Sequence, residues 1–253
     1  MKKYLILTLL AIFIGLIIPY KAHSMDITVG ATMWSPWMDR YQKVISGETV
    51  QGRYDQTLLY GPAMSVKFND DFNLTFIYLY GKFNEASMIT IKRKDSDLAL
   101  NYRLSDYFKV FGGLKYMGFE EEIKSMSLGI PSDTIKHKGY GPGLGLSSTL
   151  PVTENVYILA TLSGFYLWGK ESGTYNSTPF DSKYTEYGIN ATISIGYYIV
   201  PASTTISVGQ RYQYIKTSYN NDKPFGDPDA MPYFNKKHKF YGTTLTATYS
   251  FSI

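Results

Sequence analysis

A chain of 253 residues has room for one large all-β domain or two small ones. Its 25 Lys+Arg exceed its 21 Asp+Glu, but Lys2, Lys3 and Lys21 fall in the first 24 residues, which hold no acid. Without that segment 22 basic residues face 21 acidic ones, a net charge of +1 that leaves no footprint for nucleic acid. There is no cysteine, so no disulfide staples the fold.

The chain opens with Lys2-Lys3, an apolar run from Tyr4 to Ile18 broken only by Thr8 and Gly15, then Pro19 and a polar stretch ending Ala22-His23-Ser24. This pattern predicts a secretory signal peptide over 1–24, cut before Met25. The run is short of the ~20 apolar residues that a spanning helix needs. No long apolar run follows, which excludes a helical membrane protein. Tyr (24) and Gly (22) are instead abundant, a composition shared by exported barrels.

Beyond residue 25 the chain alternates with period two. Leu98, Leu100, Tyr102 and Leu104 alternate with Asp97, Ala99, Asn101 and Arg103. Tyr140, Leu144, Leu146 and Leu150 alternate with Gly139, Gly141, Gly143, Gly145, Ser147 and Thr149. Tyr187 to Ile199 and Tyr241 to Ile253 repeat the pattern, with one face apolar and aromatic and the other small and polar. Such faces belong to strands, not helices. Ten strands are expected, near 26–37, 57–68, 72–83, 95–104, 108–120, 138–150, 156–169, 184–200, 204–217 and 238–253.

Short turns (69–71, 105–107, 151–155 and 201–203) alternate with longer polar segments (38–56, 84–94, 121–137, 170–183 and 218–237). Strict alternation of short and long connections predicts a transmembrane antiparallel up-and-down β-barrel over 25–253. Its short turns and both termini would lie on the periplasmic side of a bacterial outer membrane, surrounded by lipid.

Aromatic residues mark one height on this barrel. Four descending strands open with Tyr-Gly, at Tyr60, Tyr140, Tyr187 and Tyr241, and ascending strands finish with Trp37, Tyr80, Tyr116, Trp168 and Tyr214. An aromatic girdle at the headgroup layer accounts for both sets. A soluble barrel would turn its apolar face inward, and the small, largely uncharged character of the other face argues against that.

The last strand resembles the C-terminal assembly signal of outer-membrane barrels. It carries hydrophobic residues at alternating positions, Leu245, Ala247, Tyr249, Phe251 and Ile253, although Ile stands at the end where Phe is usual. The resemblance implies recognition by the barrel-assembly machinery and says nothing of a substrate.

The face expected to line the lumen carries Lys67, Asp97, Arg103, Lys109, Lys115, Glu186 and Arg211. Five basic and two acidic residues suit either a narrow water-filled pore with a slight preference for anions or a paired network that plugs the barrel. Ten strands exclude a wide pore. The glycine stripe 139, 141, 143 and 145 leaves room for a solute or a folded-in loop, or simply permits curvature. Pro62 and Pro142, each after Tyr-Gly, predict a bulge or the upper limit of pairing.

His137 and His238 each precede a lysine and are expected as solvated rim residues, since no ligand spacing supports a metal. Omptin-type outer-membrane proteases also use ten strands with acids and histidine at the rim. Asp95 and Asp97, on one strand face, invite that analogy, but no local motif matches it. A hydrolase of that kind, or a lipid-modifying enzyme, would need a histidine within hydrogen-bond reach of a carboxylate or serine, and Ser147 and Ser250 lie far along the lumen face. The reading is therefore a small porin-like channel for passive diffusion of small solutes, without cofactor, metal or catalytic residues. A plugged structural or adhesin-like barrel and an outer-membrane hydrolase are the alternatives.

Overall fold

A computed structural model describes residues 25–43, 49–85, 89–123, 133–175, 178–219 and 236–253. The signal peptide expected over 1–24, and most of the long segment 218–237, lie outside them. Eleven strands form one antiparallel sheet: β1 (Asp26–Lys43), β2 (Thr49–Tyr54), β3 (Leu59–Lys67), β4 (Phe72–Glu85), β5 (Ile89–Arg103), β6 (Phe108–Ile123), β7 (Asp133–Pro151), β8 (Val156–Tyr175), β9 (Thr178–Ile199), β10 (Thr204–Tyr219) and β11 (Lys236–Ser252). Sequence neighbours pair throughout except β2 and β3, which both pair with β1, and β1 also pairs with β11, which closes the sheet. β2 and β3 share one edge of β1 in series, Met38–Lys43 facing β2 and Asp26–Trp34 facing β3, so the ring has ten staves.

Four tight connections lie at one end, here the turn end. Asn69 Oδ1 accepts the amides of Asp71 and Phe72 at 2.9 and 2.8 Å, and Thr153 Oγ1 accepts that of Val156 at 3.1 Å. The connection from β9 to β10 is a 3₁₀ turn over Val200–Ala202, with Ser203 in the left-handed region at φ 45°. Such side-chain acceptors replace ladder bonds where a strand reverses. The chain's two described ends also meet here: the Met25 amide donates to Ile253 O at 3.1 Å and the Ile253 amide donates back at 3.0 Å.

The strands run further toward the opposite, loop end than expected. β7 begins at Asp133 rather than near 138, β5 at Ile89 rather than 95, and β9 at Thr178 rather than 184. Segments such as 84–94 and 170–183, expected as loops, are thus largely strand. Their alternation survives but changes phase at the aromatic girdle. Between girdle and turn end the outward residues are apolar or uncharged, as with Leu98, Leu144, Ile193 and Leu245. Beyond the girdle the outward positions carry Lys82, Lys94, Lys136, Lys138, Lys183 and Lys237, all exposed, while Phe83, Ile91 and Ile135 turn inward and are buried. A charge on the lipid face near the bilayer centre costs about 2–4 kcal/mol. The uncharged band therefore marks the membrane, and the lysine collar marks its edge.

The girdle follows from register. Tyr116 opposes Tyr140, which opposes Trp168, and Tyr60 opposes Tyr80. Trp37 opposes Tyr241, their rings stacked at 5.8 Å. Tyr187 opposes Tyr166 and Lys216, and Tyr214 stands one pleat beyond Tyr212, beside Lys239. At the two Tyr-Gly-Pro sites the ladder lapses for two residues without a bulge, β3–β4 resuming at Ala63–Ile77 and β7–β8 at Gly143–Phe165. Proline removes the donor, and a Cβ on Gly61 or Gly141 would stand 2.1 or 2.0 Å from a carbonyl of the facing strand, so only glycine fits.

Candidate functional site: a divided lumen

Inside the barrel the two halves differ. Toward the loop end the lumen is filled. Trp34, Met38, Leu59, Leu79, Phe83, Met117, Leu167, Ile215 and Phe240 are at most 2% exposed and pack as one cluster. Arg93 on β5 is fully buried within it. Its guanidinium lies 4.0 Å from the Phe240 ring centroid, 5.2 Å from Trp34 and 5.5 Å from Phe119. It donates to Asp95 Oδ2 at 2.5 Å and to Gln213 Oε1. Desolvated cation–π contacts contribute about 2 kcal/mol, and the carboxylate supplies the counter-charge that burial of a cation requires.

Above this plug, beyond the girdle, lies an ionic cluster. Glu171 Oε2 accepts from Tyr219 Oη at 2.7 Å and from Lys236 Nζ at 3.1 Å, and stands 3.1 Å from His137 Nδ1. His137 Nε2 is 2.8 Å from Glu186 Oε1, which also accepts from Thr217 Oγ1 at 2.7 Å. Carboxylates accept and do not donate, so with one on each ring nitrogen His137 is held as the imidazolium. Burial opposes that charge, but the Glu186 carboxylate and the bonds to both glutamates outweigh it and raise the His137 pKa. Burial likewise opposes ionised Glu171, yet Lys236, His137 and Tyr219 hold it well below the usual carboxylate range. Burial, then Arg40 and Lys236, push His238 well below an ordinary imidazole. Arg40 Nη1 bonds Glu121 at 3.0 and 3.2 Å.

The two histidines thus correct the expectation of solvated rim residues. Both occupy inward positions, because β7 and β11 extend past them, and His137 stacks on Tyr184 at 3.8 Å between centroids. His137 does reach carboxylates, as a hydrolase would require. Both its nitrogens are committed to them, however, and none is left to take a proton from a substrate.

Toward the turn end the lumen opens. A cavity of about 470 Å³ is lined by Asp97, Lys109, Lys115, Arg211, Thr161 and Asn190 among others. A second, about 520 Å³, lies at the mouth beside Asp26, Lys67, Asp70, Asp71 and Ser250, and shares Asn73 and Lys109 with the first. Lys115 Nζ bonds Asp97 Oδ1 at 2.8 Å and reaches Asp95 at 3.9 Å. Arg211 lies 4.4 Å from the Trp34 ring, on the floor of the plug.

Of the seven residues picked out by sequence, the structure therefore gathers Asp97, Lys109, Lys115 and Arg211 around one cavity. Lys67 sits at the mouth, 2.8 Å from Asp70, and Arg103 sits there too, 3.6 Å from Asp71. Glu186 stands apart, in the ionic cluster. Sequence reasoning missed Arg93, Arg40, Glu121, Glu171 and Lys236, all in segments taken for loops. The glycine stripe accommodates neighbouring rings and space: Phe111 covers Gly145, where a Cβ would stand 2.3 Å from the ring, while a Cβ on Gly143 would meet nothing nearer than 3.6 Å.

A closed antiparallel ring with an uncharged outward band and aromatic edge places the chain in the class of transmembrane β-barrels. No protein-family model matches the chain, and no curated protein matches it. Among solved structures it is similar to the outer membrane protease OmpT from Escherichia coli, at 10% identity and a TM-score of 0.59, over 92% of this chain and 98% of that one. The translocator domain of the autotransporter NalP from Neisseria meningitidis follows at 10% identity and 0.48, over 98% and 95%. The outer membrane protein AlkL gives 11% and 0.48, over 93% and 95%. At such identity the likeness is one of fold.

Proposed function

We propose that the chain is a small porin-like channel of the bacterial outer membrane, with its turn end and both termini in the periplasm and its lumen closed toward the loop end. The observation that carries this reading is the cavity, lined by charged and hydroxyl side chains among apolar ones, that rises from the turn end and stops against a plug that, among the described residues, is built of wall side chains. Such a plug opens by rotamer changes and slight ring movement, without displacing a domain. Export by the signal peptide, insertion by the barrel-assembly machinery and contact with outer-membrane lipid complete the proposal. The solutes are small, as the width of a ten-stranded ring dictates.

A second reading, a permanently plugged barrel acting through its loop end, draws on the charge pairing of the interior: Arg93 with Asp95, Lys115 with Asp97, Arg40 with Glu121, and Glu171 with Lys236. Planar-bilayer recording separates the two. A channel gives small, infrequent conductance steps that grow when Phe240→Ala thins the plug. Silence from both wild type and variant, with folding verified by circular dichroism, overturns the channel reading.

A further inference from the structure

The turn-end cavity holds more positive charge than its carboxylates neutralise. Lys115 compensates Asp97, and Arg93 compensates Asp95. Arg211 is then a third cation beside two carboxylates. Among the described residues neither Arg211 nor Lys109 has an ion-pair partner within 4 Å. The Trp34 ring supports the Arg211 guanidinium from above but brings no counter-charge. An uncompensated cation in a confined lumen requires an anion or water.

Register shows what lies between the two. Following the ladders across five strands, Lys109 opposes Ser147, Ser147 opposes Thr161, Thr161 opposes Thr192, and Thr192 opposes Arg211. The inward row therefore reads cation, three hydroxyls, cation. All five residues line the same cavity of about 470 Å³. Hydroxyls donate to oxyanions, and a guanidinium presents a fork that matches carboxylate or phosphate oxygens.

We infer that this row is a binding track for a small oxyanion, a carboxylate or phosphate, entering from the turn end and seated between Arg211 and Lys109. The site deepens the channel reading and rests on it for the anion's passage, although binding itself needs only the open turn end. Lys109 lines both cavities and so receives the anion at the mouth, while Arg211 holds it beneath the plug.

The test is calorimetric titration of the full-length folded barrel in uncharged detergent with inorganic phosphate and, separately, with succinate. Saturable millimolar binding of either anion is expected, and the two arms identify which oxyanion the track takes. Arg211→Gln and Lys109→Gln should each weaken it about tenfold, the worth of a charge-assisted hydrogen bond. Arg211→Lys, which keeps the charge and guards against misfolding, should retain part of it, and Lys237→Gln in the outer collar should change nothing. In a barrel whose other tryptophans are replaced (Trp37→Phe, Trp168→Phe), Trp34 fluorescence should shift on binding.

Absence of saturable binding by both anions, or binding equal in Arg211→Gln and wild type, overturns the site. Bilayer recording distinguishes this failure from that of the channel. A barrel that conducts but does not bind loses the site alone, and one that binds but never conducts loses the channel and keeps the site.

Discussion

The two halves of this barrel use the same strands in opposite senses. On the turn side of the girdle the wall is apolar outside and polar within, as lipid demands. On the loop side it is charged outside, and within it packs an apolar cluster beneath a set of paired charges, as in a barrel surrounded by water. In the first half stability comes from ladder hydrogen bonds and lipid contact, so the interior can stay open. In the second the interior supplies the apolar core, and it fills. Among the described residues, closure of the lumen thus comes from the wall's own side chains, at the height where the membrane stops. The buried charges of the filled half, Arg93 above all, tie that core to the polar cavity below.

The contrast can be broken first at Arg93. Arg93→Met strips Asp95 of its bonded partner and should cost about 3–5 kcal/mol in urea unfolding of the refolded barrel. The double variant with Asp95→Leu should recover most of the loss. If the double variant is no more stable than the single, the ion pair is not what anchors the plug. Phe240→Ala follows, at about 3–4 kcal/mol, since its ring meets Trp34, Phe83 and the Arg93 guanidinium. An equal loss from truncating a cavity-lining residue such as Thr161 would erase the distinction between the halves.

The ionic cluster gives a signed pH test. His137 has a raised pKa in the folded barrel, so its contribution is complete below about pH 6.5 and disappears as pH rises through the folded value. His238 has a lowered one, so the unfolded chain takes up a proton that the barrel refuses, and stability is lost as pH falls below about 6.5. The urea midpoint of His238→Gln should therefore decline on raising the pH from neutral. That of His137→Gln should instead decline on lowering it from neutral toward about pH 5. Parallel profiles for the two variants would contradict the assignment. Smaller still, Thr32→Val, which breaks a 2.8 Å hydroxyl pair with Thr246 across the closing seam, should cost about 1 kcal/mol. Lys67→Gln, exposed at the mouth, should leave the midpoint unchanged.

How much of this was legible in the sequence follows the same division. Ten staves, four tight turns and the aromatic girdle could be read because outward apolar residues at period two are a strong signal wherever lipid faces the strand. The signal vanishes at Lys94, Lys138 and Lys183, where outward positions turn to lysine, and the strands expected from sequence stop there. Parity would have carried the reading on. Arg93 and Ile91 share the phase of Asp97 on β5, and His137 shares that of Gly139 on β7. What parity could not supply was partnership. That His137 directly opposes Glu171 on β8 and reaches Glu186 on β9 depends on exact register, which alternation along a single strand does not specify. Pro142 predicts a bulge or the upper limit of pairing because its missing donor is visible in sequence, whereas the ladder's resumption in unchanged register beyond it is not.

The mutual hydrogen bonds of Met25 and Ile253 have a topological consequence. With the first and last described residues side by side at the turn end, the closed ring has no structural beginning. Joining Ile253 to Met25 through a short linker and reopening the chain in the turn at Ser105–Tyr107 would preserve every ladder of the barrel. In such a circular permutant the seam now formed by β1 and β11 becomes an ordinary hairpin, and β5 and β6 become the strands that must find each other last.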